Sequence, residues 1–436
     1  MSAEHVGEDP VLTETLRDRS TPRRRPRVRE GYARAQTAVT TRTTATTRAA
    51  LSSAHRSPTR TISAPWALTG ALAALTIACP APRTADTAAL ASDAYVWNRT
   101  WTPSVSRAVA EAPRTIGALR VLVAERGATP TDVDPPLDAL RAAARPLVPV
   151  LRLDTLPSAD DALDATLAPL RARAEAWRRA GLVVDTVEID HDAPARTLAD
   201  YARWLARARA SVRPLRLSIT ALPTWLDAPG LDAVLGDVDA VVVQLHAVRA
   251  PTLFDPARAA DDTRRFAARA AARGVAMYVA LPTYRVRPAP DVDLAAEPEA
   301  ITAFLRTTRG TRGLVGVVWF RLGHDDDRDA WPAVTLDAVA RGAPLVRSVD
   351  VRLEPVPGTE AADVWLVGGG NVEAEAPRQL RFDGEVDAAE PLRGYTLDGA
   401  PTRWRAGRPL RVRPGERVRV GFVRGRGLGV VAAPPQ

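Results

Sequence analysis

From Asp93 onward, short apolar runs alternate with longer stretches whose apolar positions recur every three or four residues. Eight runs read as strands, at 94–99 (AYVWNR), 117–125, 146–154, 183–192, 215–223, 240–247, 276–284 and 316–322. They are apolar throughout and rich in Val, Leu and Ala, which suits parallel strands covered on both faces. The stretches 159–180, 197–212, 256–273, 297–309 and 329–341 have helical spacing and helix length. Between the second and third runs, Pro130, Pro135 and Pro136 leave room only for a short helix. Eight strand–helix units over about 250 residues predict an α/β fold, a (β/α)8 TIM barrel, at 93–343.

After Pro344 the helical period stops and the runs alternate in strand fashion. This predicts a small C-terminal β-sandwich-like domain at 344–436, with Pro414-Gly415 turning its last run into a hairpin. Residues 402–426 carry nine arginines against Glu416. Such a run reads either as a solvated sheet face opposite Val412, Val418 and Val420, or as contact with an anionic surface such as lipid headgroups.

The first 62 residues are rich in Arg, Ser, Thr and Ala without apolar period, and read as a disordered leader. Residues 63–79 follow as a signal-peptide h-region, too short for a spanning helix and ending LTIAC. That ending resembles a bacterial lipoprotein signal cleaved before Cys79, which predicts lipidation of Cys79 and a membrane-anchored place in the cell envelope. Residues 80–92 read as a linker. A start nearer Leu51 would leave a signal of ordinary size, making residues 1–50 a mis-assigned start.

Charge adds little to this picture. All 59 basic residues are arginines, and the net charge is +8. Twelve arginines against six acids lie before position 61, so the remainder carries only +2. No nucleic-acid partner is expected from that balance. The single cysteine excludes an internal disulfide and a cysteine metal cluster.

Polar residues collect at the C-terminal ends of the predicted strands, where barrel enzymes place their chemistry. In chain order they are Trp97 and Arg99, Glu125, Arg152 and Asp154, Asp190 and Asp192, Thr220, Gln244 and His246, Tyr284, and Trp319 and Arg321. The fourth strand, DTVEIDHDAP, carries Glu188, Asp190 and Asp192 on one face, roughly 7 Å apart in succession. Such a cluster serves proton transfer, a cation or a polar network. A metal-dependent hydrolase using Asp190, Asp192 and His191 or His246 is a further reading, but His191 is out of phase with the two acids and no HxxH or HxH spacing is present; no metal and no cofactor are expected. The acids of His324-Asp325-Asp326-Asp327 are expected to cap the helix that follows. Trp177, Trp204 and Trp225 fall in or beside helices and read as helix–barrel packing.

The segments AYVWNRTW, VEIDHDAP, LSITALPTWL, VVVQLHAV, YVALPTY and VVWFRLGHD, in this order, resemble bacterial domain-of-unknown-function family 3142 over roughly 92–345. DTVEIDHD also resembles the Asp-x-x-Asp-x-Asp-x-Glu signature of family 18 glycoside hydrolases. Position by position, Asp185, Glu188, Asp190 and Asp192 take the four acidic places, and Trp319 matches the tryptophan that floors the sugar site. Two departures stand out: Asp192 replaces the catalytic Glu, and the sixth strand has Gln244-Leu245-His246 in place of Met-x-Tyr-Asp.

This likeness implies a polysaccharide or glycoconjugate as ligand. In a hydrolase reading, Asp192 is the general acid, Asp190 holds its proton, and His246 orients the substrate. Trp97, Arg99, Glu125, Asp154, Gln244, Tyr284, Trp319 and Arg321 would bind the substrate. The alternative is a non-catalytic glycan-binding or scaffold lipoprotein.

Overall fold

The computed structural model describes residues 90–157, 160–246, 252–289 and 292–432. All lie in one compact unit, Leu72–Gln436. The leader, the h-region, Cys79 and most of the expected linker fall outside the described residues. Among those described, no helix is long and apolar enough to cross a membrane.

Eight parallel strands close into a barrel: β1 (Ala91–Val96), β2 (Leu119–Arg126), β3 (Leu147–Leu153), β4 (Thr186–His191), β5 (Arg216–Ala221), β6 (Ala240–Gln244), β7 (Ala276–Pro282) and β8 (Leu314–Phe320). Closure is made by β1, which pairs with β8 (Ala91 opposite Gly316) and with β2 (Ala94 opposite Leu119). The TIM barrel expected from the apolar runs is therefore present. The first strand lies three residues earlier than expected, so Trp97 and Arg99 stand in the loop beyond it.

Eight helices follow the strands: α1 (Pro103–Ala110), α2 (Leu137–Ala143), α3 (Asp160–Arg179), α4 (Leu198–Val212), α5 (Leu231–Gly236), α6 (Pro256–Ala272), α7 (Pro298–Thr308) and α8 (Ala333–Arg341). The proline-rich gap does hold only the short α2. Helix α8 starts later than the apolar spacing implied, because Pro332 stands at its N-cap. Asp327 caps a turn ahead of it, its Oδ1 accepting the backbone N–H groups of Asp329 and Ala330. That corrects the expectation that these acids cap the helix itself.

Alternation along each strand divides two apolar layers. Tyr95, Val150, Val242, Ala280 and Val318 meet inside the barrel. Their outward-facing neighbours pack under the helices with Trp177, Trp204, Trp225, Phe266 and Phe304, all buried. Trp225 also donates Nε1–H to the Ala193 carbonyl at 2.8 Å.

The C-terminal strands are β9 (Val349–Pro355), β10 (Ala361–Gly368), β11 (Gln379–Pro391), β12 (Tyr395–Leu397), β13 (Arg403–Ala406) and β14 (Arg417–Ala432). They form one antiparallel six-stranded sheet in the order β9-β10-β14-β11-β13-β12. A two-stranded ribbon, Ala374–Glu375 with Arg411–Val412, adds Ala374 and Val412 to the buried residues. Val412 shares a core with Val364, Leu366, Phe382, Trp404, Val420 and Val423. The long β11–β14 pair is bulged, and Gly384 at φ +93 allows it: a Cβ there would sit 2.5 Å from the Arg426 carbonyl oxygen. The Pro414-Gly415 turn is present, with Glu416 N–H donating to the Arg413 carbonyl at 3.0 Å. The expected hairpin is not, because Arg411–Val412 pairs with Ala374–Glu375 while β14 pairs with β10 and β11.

Ion pairs join the barrel side to the C-terminal strands. Arg285 meets Glu373 at 2.8 Å, Arg347 meets Glu299 at 2.8 Å and Arg328 meets Glu416 at 2.6 Å.

Candidate functional site

Two polar tiers occupy the barrel interior. The lower is centred on Glu188, which has no exposed surface. Tyr95 donates its hydroxyl to Glu188 Oε1 at 2.7 Å, and Ser218 donates to Oε2 at 2.7 Å. Arg120 binds the same carboxylate through Nη1 and reaches Asp93 Oδ2 through Nη2 at 3.0 Å. Its guanidinium also lies 4.9 Å from the centre of the Tyr278 ring. Burial raises the Asp93 pKa, with Arg120 opposing it. Burial disfavours the charged Arg120, but Glu188, Tyr95 and Asp93 together outweigh that, so the arginine pKa is raised. The Tyr95 hydroxyl is pushed up by burial and then by Glu188. This tier is a closed network, as a buried ion pair requires.

The upper tier faces the C-terminal mouth. Arg152 on β3 stands opposite Asp190 on β4. It donates through Nη1 to Asp190 at 2.7 Å and through Nη2 to Asp192 at 2.9 Å. Gln244 at the end of β6 donates to both acids, at 3.4 Å and 3.1 Å, and Thr220 donates to Asp190 at 2.6 Å. One guanidinium thus bridges two carboxylates, and each carboxylate oxygen accepts at least one hydrogen bond. Asp190 is buried, whereas the Asp192 side chain keeps 23% of its surface exposed.

An aromatic quadrant completes the mouth. Phe320, at the end of β8, stacks on His246 at 5.5 Å and meets Trp97 at 5.5 Å and Tyr284 at 5.8 Å between ring centres. The Phe320–Arg321 peptide bond is cis. Burial lowers the His246 pKa to about 4, with Asp190 acting the other way, so the ring is neutral near pH 7. Burial raises the Tyr284 pKa, with Arg321 opposing it, so its hydroxyl keeps its proton. That hydroxyl lies 3.2 Å from His246 Nδ1. With Tyr284 donating to Nδ1, the remaining hydrogen is placed on Nε2. Among the described residues, Nε2 has no hydrogen-bond partner.

The predicted residues separate on this frame. Asp190, Asp192, Gln244, His246, Tyr284 and Trp97 come together. Arg99 and Glu125 form a two-point ion pair on the rim, with Nη2 to Oε1 at 2.8 Å. Asp154 is 62% exposed and reaches Arg152 Nε only at 3.7 Å. Arg321 is held by Asp327 at 2.6 Å.

Trp319 requires a correction. It is 1% exposed and points outward, packing against Trp331 and donating Nε1–H to Ser92 Oγ at 2.8 Å. Phe320 takes the inward position that Trp319 was expected to fill. Alternation from Val318, which lies inside, identifies it, so the match of Trp319 to the tryptophan that floors the sugar site does not hold. His191 faces the helix layer as its phase required, with Nδ1 2.9 Å from the Leu153 carbonyl and its ring against Tyr201. Among the described residues no group of His, Cys, Asp and Glu is arranged to hold a metal ion.

Solved structures with a similar fold include a chitinase from Chromobacterium violaceum ATCC 12472, at 13% identity and TM-score 0.43, covering 58% of this chain and 98% of that one. The Bacillus cereus spore cortex-lytic enzyme SleL matches at 11% and 0.40, covering 54% and 71%. The tamarind chitinase-like lectin matches at 11% and 0.37, covering 58% and 99%. No curated protein matches the chain. Residues 143–325, which run from the last residue of α2 past the end of β8 and hold both acids of the upper tier, match the model of the family described as Domain of unknown function (DUF3142).

Proposed function

We propose that the barrel mouth binds a carbohydrate and that its strand-four acids hold ligand hydroxyls rather than protonate a leaving group. The observation that carries this reading is the bridge from Arg152 to both Asp190 and Asp192, reinforced by Gln244. A glycosidase needs one carboxyl oxygen to carry a proton towards the scissile oxygen. Here donors converge on both carboxylates, an arrangement that favours acceptors. Partly exposed carboxylate oxygens beside a glutamine amide suit vicinal hydroxyls. Trp97 and Phe320 offer flat apolar surface across the mouth. The end of β7 supplies Thr283 and Tyr284 and no carboxylate, so a second acid for a retaining mechanism is not at hand there.

The test is a panel of bacterial and plant polysaccharides assayed for binding and for release of reducing ends, with wild type and Asp192→Asn. Binding by wild type, weakened in the variant and without release, is expected. Release by wild type that disappears in Asp192→Asn would assign Asp192 as a general acid and overturn the binding reading. The same proposal places the chain in the cell envelope through a lipid on Cys79, supported by the LTIAC ending. Labelled fatty acid incorporated by wild type and lost in Cys79→Ala is the expected outcome.

A further inference from the structure

A groove of about 480 Å³ lies on the C-terminal domain beside the barrel, lined by Arg328, Arg393, Arg411, Arg417, Arg419 and Trp365. Its lining has five arginines and a single carboxylate, Glu416, and Leu410 and Val418 add apolar surface. Four of the arginines are held in place by acids. Arg328 meets Glu416 at 2.6 Å, Arg411 meets Glu373 at 3.2 Å and Arg419 meets Asp363 at 2.6 Å. Arg417 pairs with Glu354 and lies 4.7 Å from the centre of the Trp365 ring. These acids do not cancel the groove's charge in full, because Glu373 is shared with Arg285 at 2.8 Å.

Arg393 differs from the other four. It has neither an ion pair nor a side-chain hydrogen bond to any described residue. It sits at φ +56 in the turn after β11, a left-handed conformation uncommon for a residue with a side chain. Backbone bonds fix that turn: Leu392 N–H donates to Val420 at 2.7 Å and Tyr395 N–H donates to Leu392 at 3.1 Å. The turn thus holds an uncommitted guanidinium at the groove.

We infer that this groove binds an anionic ligand carrying carboxylate or phosphate groups. Guanidinium forks match the paired oxygens of such groups, and several held in advance lose little freedom on binding. A concavity of a few hundred cubic ångströms suits a small molecule or a short oligomer. A bilayer meets basic side chains free to reach its headgroups, whereas four of these arginines are already paired with acids of the protein. The inference stands apart from the reading of the barrel mouth, which shares none of these residues.

Calorimetry of the full chain at low salt tests it, with inorganic phosphate and an oligogalacturonate as probes. The variants are Arg393→Asn, which tolerates the left-handed conformation, and Arg381→Asn, which removes an equal charge on β11 away from the groove. At least one probe is expected to bind, about tenfold more weakly in Arg393→Asn and within about twofold of wild type in Arg381→Asn. Tighter phosphate binding would assign a phosphoryl ligand, and tighter uronate binding an acidic saccharide. Binding of neither probe, or equal losses in the two variants, would overturn the inference. So would binding only to phosphatidylglycerol-containing vesicles, which would make the surface a membrane contact.

Discussion

Glu188 and Asp190 are two residues apart on one strand, face the same way and each meet an arginine from a nearby strand. Their settings nonetheless differ. Around Glu188 every neighbour is committed: Arg120, Tyr95 and Ser218 enclose it away from water. Around Asp190 the network continues upward to Asp192, which is partly hydrated. One layer of the barrel, roughly 7 Å along the strand, separates a structural plug from a candidate binding surface. Depth, rather than residue type, decides which acid can meet a ligand.

The largest effect should come from breaking the lower tier. Glu188→Gln leaves Arg120 buried with only Asp93 as acidic partner, and is expected to cost about 3–5 kcal/mol in urea unfolding. Arg120→Met combined with Glu188→Leu and Asp93→Asn should recover part of that loss, because no unpaired charge is then buried. A loss below about 1 kcal/mol for the single variant would show that the plug is more hydrated than its burial indicates.

Trp319 and Trp97 extend the comparison to the aromatic residues. Trp319→Ala removes a buried ring from the helix layer and should cost about 3–5 kcal/mol while leaving glycan affinity unchanged. Trp97→Ala is expected to do the reverse, lowering affinity with a smaller stability loss. Equal affinity losses in the two variants would remove the distinction between outer and inner layers.

In the upper tier, Asp192→Asn should change stability by no more than about 1 kcal/mol, since its carboxylate is partly exposed. Its effect belongs to ligand affinity, read in the same panel that tests for hydrolysis.

The smallest effect is a pH slope. His246 is neutral in the folded protein down to about pH 4, while the unfolded chain takes up a proton near the ordinary histidine value of about 6.5. The unfolded state binds more protons in that window, so stability should fall as pH drops from about 6.5 towards 4. His191, whose pKa burial also lowers, contributes in the same direction. His246→Phe should flatten the slope in part, with the His191 share retained. An unchanged slope would mean that His246 is not withheld from water in solution.

Much of the barrel was legible before any coordinates. Strand runs apolar on both faces and helices with one apolar stripe leave few arrangements other than helices around a parallel sheet. The rim was legible for a related reason: in strands otherwise covered on both faces, Asp190, Asp192, Gln244 and His246 are polar at the end where loops follow. Phase was the weaker part. The resemblance puts Trp319 at the sugar site, whereas strict alternation from Val318 assigns it outward and Phe320 inward. The Arg-rich run shows the same limit. Arg413 crosses to the Ala330 carbonyl of the barrel side and Arg419 pairs across the sheet with Asp363, partners 83 and 56 residues away in sequence.

The sequence alone determined the eight-unit repeat, the strand that carries the acids and their common face, because period and polarity are local properties of the chain. The tertiary structure decided which acid lies deep and which lies at the mouth, and that one arginine bridges Asp190 and Asp192. It also decided that Arg393, on a turn of the C-terminal sheet, stands beside Arg328 of the barrel side. Those outcomes depend on strand stagger and on contacts between distant segments, and no local pattern encodes the energy of a pair that forms only when the barrel closes.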